Sequence, residues 1–181
     1  MPFAHDTEVA LAAAAALVNT ARSGPDELDD VPALDAFVER WGWTGSRTGG
    51  AAELTQVRRL RTRLRQLWYL DEDGVAHLVN ELLRDARALP QLVRHGSWGY
   101  HLHASRPDDP LAERMAVEAA MGVLDLVRSE ALDRLRLCAA DGCTGVLVDL
   151  SKNHSRRYCG TTCSNRVNVS AFRARRAAEA T

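Results

Sequence analysis

The sequence predicts a mostly helical α+β chain in two parts: an N-terminal helical domain with a small β-hairpin, residues 1–134, and a short cysteine-bearing module, residues 135–181. Three observations carry that prediction. Apolar residues recur at helical spacing through most of the first part, the pattern of helices that bury one face. Between residues 91 and 104 the pattern changes to short β-rich runs separated by glycines. All four cysteines of the chain, Cys138, Cys143, Cys159 and Cys163, lie beyond residue 137.

The elements follow in order. Residues 7–20 (TEVALAAAAALVNT) form a first helix, closed by Asn19 and Thr20, with Asn19 an ordinary helix C-cap or, with Thr20, part of a ligand pocket. Gly24-Pro25 and the acidic run Asp26 to Asp30 mark a loop. Leu34, Phe37, Val38 and Trp41 make the stripe of a second helix. Leu54, Val57, Leu60, Leu64, Leu67 and Trp68 share one side of a third, spanning 51–70. Asp71 to Asp73 cap a fourth that buries Leu78, Val79, Leu82 and Leu83 and ends before Pro90. Residues 91–95 and 99–104 pair as a hairpin that turns at Gly96 and Gly99. A long helix, 111–134, then delivers the chain into the C-terminal module.

The cysteine spacing is C-x4-C, fifteen intervening residues, then C-x3-C. Two close pairs, each offering two thiolates from one tight turn, suit a tetrahedral zinc ion. No apolar run approaches the roughly 18 residues of a membrane span. The alanine-rich run 9–18 has no basic leader, so a cytoplasmic address is expected, where metal is favoured over disulfides. Four thiolates fill a tetrahedron, which makes the zinc structural rather than catalytic. A module of this size buries too little surface to fold on apolar contacts alone, and metal compensates. His154 is an unneeded fifth candidate, read as a turn residue facing solvent or phosphate. Gly142 and Gly145 in the first knuckle are read as positive-φ positions. A strand at 146–148 and a helix from Ser164 to Ala178 complete a treble-clef-like layout.

Net charge −1 conceals an asymmetry. Residues 1–133 carry 14 basic and 21 acidic side chains, and residues 134–181 carry 9 basic and 3 acidic. A basic module on an acidic body implies an anionic partner for the module. The candidates for nucleic-acid contact are Lys152, Arg156, Arg157, Asn165, Arg166, Arg173, Arg175 and Arg176. Val169 and Phe172 are expected to pack the last helix onto the hairpin and aim its arginines outward. The competing reading is a set of arginines that offset the anionic zinc–thiolate cluster.

The run Ser155-Arg-Arg-Tyr-Cys159-Gly-Thr-Thr-Cys163-Ser-Asn-Arg166-Val, with Phe172-Arg-Ala-Arg-Arg176 behind it, resembles the CGNR zinc finger. That family is named for Cys-Gly-Asn-Arg at its last ligand; here the tetrad is Cys163-Ser164-Asn165-Arg166. Serine at the glycine position bears on how closely the backbone can approach DNA. Leu17-Val-Asn19-Thr20, an acidic loop and a helix ending near Trp41 resemble the start of the ABATE domain, which precedes CGNR fingers in bacterial proteins described as stress-induced transcription regulators. The resemblance implies a DNA-binding finger attached to a domain whose role it leaves open, with sensing of a small-molecule effector as one candidate. An RNA- or protein-binding finger is the alternative, and a homodimer would add specificity.

Other constellations have plainer readings. Trp41, Trp43, Trp68 and Trp98 are core residues before they are pocket walls. Arg58, Arg59, Arg61, Arg63 and Arg65 form a solvated face paired with local acids. His95, His101 and His103 are a metal site only if their strands align, and otherwise a solvent-facing strand edge. No phosphate loop, nucleophile motif or acid–base pair suggests an enzyme.

Overall fold

The computed structural model describes residues 3–94 and 99–179. Six helices and two hairpins appear among them: α1 His5–Asn19, α2 Val31–Arg40, α3 Ala51–Arg65, α4 Glu72–Asp85, β1 Gln91–Val93, β2 His101–His103, α5 Leu111–Arg128, β3 Leu135–Leu137, β4 Val146–Val148 and α6 Thr161–Glu179. The expected cap at Asp71 is present, and Asp30, read from sequence as loop, caps α2 as well. Asp30 accepts from the Ala33 amide at 2.8 Å, and Asp71 from the Gly74 amide at 2.9 Å.

α1, α3 and α4 surround α5, which is buried along most of its length. The alanines of α1 serve this arrangement, because small side chains let two helices approach closely. A Cβ at Gly122 of α5 would stand 3.1 Å from the Leu11 side chain. One continuous core runs from Leu11 and Val18 through Leu34, Leu64 and Leu82 to Val123 and Leu126. It does not stop at residue 134. Val146 and Val148 of β4 belong to the same cluster, and all three β4 residues are buried.

Two expectations need correction here. α5 ends at Arg128, six residues before the predicted end. Glu130 turns the chain at φ 50°, and a single 3-10 turn, Leu132–Arg134, leads into β3. The third helix likewise gives way after Arg65 to a 3-10 turn at Gln66–Trp68. Both hairpins are antiparallel. β1 pairs with β2 through Leu92↔Leu102, and β3 with β4 through Arg136↔Leu147. The predicted turn of the first hairpin, with His95, Gly96 and Trp98, lies outside the described residues.

Candidate metal centre and nucleic-acid face

Cys138 follows β3 directly, Cys143 closes the knuckle, Cys159 precedes α6 and Cys163 sits in its first turn. Their sulfurs all lie within 4.8 Å of one another. Cys143–Cys159, Cys159–Cys163 and Cys143–Cys163 are 3.8, 3.7 and 3.6 Å apart. A disulfide is about 2.0 Å. Four sulfurs held tetrahedrally at about 2.3 Å from one zinc stand about 3.8 Å apart, and these three spacings match that figure. The cluster is a zinc site with its four positions filled by thiolate, so the metal is structural.

The electrostatics fit the same ion. Burial works against ionisation of Cys138, yet the amides of Cys159 and Ala140 turn toward it and bring its thiol down to about 7. Burial and the neighbouring sulfurs push the Cys159 and Cys163 thiols up. Four thiolates so close repel one another until a dication joins them. The Gly145 amide also donates to Cys143 Sγ at 3.3 Å, and Arg22 Nη1 stands 4.0 Å from Cys159 Sγ.

The knuckle glycines divide their work. Gly142 takes φ +68°, as expected. Gly145 lies outside the positive-φ region and is needed for space: a Cβ there would meet Cys159 Sγ at 2.8 Å and Cys143 Sγ at 3.2 Å.

Asp149, fully buried, organises the turn that follows β4. It accepts from the amide and hydroxyl of Ser151, the Arg156 amide and the Arg136 guanidinium. Burial pushes its pKa up, and those donors more than offset it, leaving it below the usual carboxylate value. The sequence reading missed this hub, although an Asp two residues before a Ser is an Asx-turn signal. Arg134 and Arg136 are consumed nearby: Arg134 binds the Asp149 carbonyl at 2.7 Å, and Arg136 the His154 carbonyl at 2.9 Å. His154 is exposed, as expected, and pairs there with Asp133 at 3.1 Å.

The other seven cations of the module, Lys152, Arg156, Arg157, Arg166, Arg173, Arg175 and Arg176, are exposed. Arg156 also reaches the carbonyls of Tyr158 and Cys159, and Arg166 that of Asp141 at 2.9 Å. Asn165, Arg166, Val169, Ser170 and Arg173 line a shallow groove along α6. Val169 and Phe172 are not packed on the hairpin as expected; they are 47% and 51% exposed. α6 touches its module through Cys163 and Val167, and beyond them its side chains project outward. Ser164, half-buried in the first turn, donates its amide to the Gly160 carbonyl.

Asn19 and Thr20 are buried and hydrogen-bonded within the protein. The Asn19 carboxamide donates to the Val146 carbonyl at 2.8 Å and accepts from its amide at 2.7 Å, holding β4 as a neighbouring strand would. Thr20 Oγ1 bonds the Leu17 carbonyl and receives Arg61. Trp68 donates to the Leu147 carbonyl at 2.9 Å, and Arg65 to that of Thr144 at 2.8 Å. Trp41 and Trp43 pack against the core. The α3 arginines are more than a solvated face. Arg61 is buried and forked onto Asp26 at 2.6 and 2.7 Å, Arg58 binds the Leu28 carbonyl, and Arg63 pairs with Asp85 and Glu81.

Among the described residues no helix is long and apolar enough to cross a membrane. Comparison with curated proteins finds no match. Two family models match, in the order in which the two structural parts occur. The CGNR zinc finger matches residues 134–176, which hold the four sulfurs, the Asp149 turn and most of α6. The ABATE model, described as "Putative stress-induced transcription regulator", matches residues 11–130, about two-thirds of the chain. The chain therefore belongs to the ABATE family and carries a CGNR zinc finger behind the ABATE domain.

Proposed function

We propose that the chain is a DNA-binding transcription regulator in which a structural zinc holds α6 as the contact element. The observation that carries this reading is the exposed basic face beside the metal. Arg166 and Arg173, seven residues apart, border one groove with Asn165, and Lys152, Arg156, Arg157, Arg175 and Arg176 extend the positive surface. The guanidiniums neutralise phosphates, and Asn165 faces a base edge. Zinc has no chemical part in this; it fixes where the helix starts. The protein acts in the cytoplasm and performs no catalysis.

Titration of mixed-sequence duplex DNA at several salt concentrations tests the reading. Neutralising Z phosphates gives a log–log slope of about −0.9Z, so Arg166→Ala/Arg173→Ala flattens the slope by about two units. No salt-sensitive binding in the parent chain overturns the proposal, and tighter binding to RNA than to DNA replaces it with the RNA reading. The named pocket residues give the sensor reading no support, because Asn19 and Trp68 are bound to β4.

A further inference from the structure

The first hairpin holds histidines that the sequence reading placed at a solvent-facing edge. His101 is instead 9% exposed, and His103 turns toward Glu118 of α5. Residues two apart on a strand point to one side, so the rings stand together. Their centroids are 4.9 Å apart, and the two Nε2 atoms converge to 3.0 Å.

The other nitrogen of each ring faces an oxygen, at hydrogen-bond distance for His101. His101 Nδ1 lies 2.9 Å from the Gly99 carbonyl. A carbonyl only accepts, so Nδ1 carries the proton and Nε2 of the neutral ring presents its lone pair toward His103. His103 Nδ1 lies 3.7 Å from a Glu118 carboxylate oxygen. Imidazoles oriented by a carbonyl or carboxylate behind them are the usual outer shell of metal-binding histidines. A second carboxylate, Asp6, reaches the Leu102 amide between the two rings.

Two imidazole nitrogens bound at about 2.0–2.1 Å to one ion stand about 2.9 Å apart at right angles and about 3.4 Å apart tetrahedrally. The observed 3.0 Å falls in that interval.

We propose that His101 and His103 form a two-histidine chelate for a borderline divalent transition ion such as Zn2+, with Gly99 and Glu118 orienting the rings and water completing the coordination. The site is separate from the cysteine cluster and lies on β2 where it faces Glu118 of α5. Imidazole with few protein ligands suits zinc, nickel or copper and disfavours magnesium or calcium.

The test is a ZnCl2 titration of the tag-free full chain whose finger is already zinc-loaded, followed by calorimetry and by imidazole NMR. The expected result is one further equivalent, weaker than the finger's, that perturbs the His101 and His103 ring signals and disappears in His101→Gln/His103→Gln. Glu118→Gln weakens it about 10–100-fold. His103→Gln alone, which changes the more exposed ring, loses the further equivalent at unchanged helical circular dichroism. His77→Gln, which removes an exposed His–Glu pair on α4, leaves the count unchanged. Absence of a further equivalent in the parent chain overturns the proposal, leaving a shared proton as the occupant. So does its persistence in the His103→Gln or double-histidine variant, or its loss in His77→Gln.

Discussion

Gly145 shows how a residue without a side chain sets a metal site. Its Cα faces two ligand sulfurs and the Asn19 carboxamide, and a methyl group there stands 2.8 Å from Cys159 Sγ. Gly145→Ala must displace either a ligand or the strand dock, so zinc affinity falls, and competition with a chromophoric chelator measures the loss. Asn19 is the second decisive residue. Asn19→Ala leaves the buried amide and carbonyl of Val146 without their partner, which costs about 2–4 kcal/mol in urea unfolding. A loss under about 0.5 kcal/mol would mean that water replaces the carboxamide. Neither role was legible beforehand. The four cysteines announced their metal through spacing alone, because ligand pairs from tight turns are local features. Asn19 meets Val146 across 127 residues of chain, and nothing near Asn19 encodes that contact.

At the scale of elements, local signals held where a stripe or cap decided the outcome and failed where a partner did. The stripes of α2, α3 and α4 and the cap Asp71 are local, and all are legible in the sequence; the Asp30 cap of α2 is equally local and went unread. The end of α5 was not, because apolar residues continue past Arg128 to serve the core from a 3-10 turn and a strand. The core-like chemistry of Val169 and Phe172 predicts a packed α6, yet both side chains stay about half exposed. Phe172→Ala is therefore expected to change stability by no more than about 0.5 kcal/mol, where a core phenylalanine costs about 3–5. Two acids give the elements opposite responses to pH. Arg61 holds Asp26 down to about 2, so this link stabilises fully above pH 3.8 and is lost as pH falls through about 2. After allowance for screening it contributes about 1 kcal/mol, which Asp26→Asn removes at neutral pH. Burial, then the charge of Asp6, pushes Glu118 up to about 7, so the fold favours its protonated form. That contribution is complete below pH 4.5 and is lost as pH rises through about 7. Without added metal, Glu118→Gln should unfold at a higher temperature than the parent chain at pH 8, and the difference should shrink toward pH 5.

At the scale of the whole molecule, the finger is joined to the ABATE body by more than a linker. β4 lies in the common core, and Asn19, Trp68 and Arg65 bind consecutive parts of the chain from Thr144 to Leu147. α6 has no such support; its buried contacts are those of Cys163 and Val167 beside the metal. Removing zinc should therefore act unevenly. The thiol cluster loses its dication and α6 loses its anchor, while β3 and β4 keep the body as their template. Hydrogen exchange after chelation is expected to show protection lost from about residue 149 onward and retained in α1, α5 and β4. The same treatment abolishes the proposed DNA contact, because Arg166 and Arg173 then no longer share a fixed helix. If β4 exchanges as fast as α6 after chelation, the metal rather than the body holds the hairpin, and the shared core is not what positions the finger.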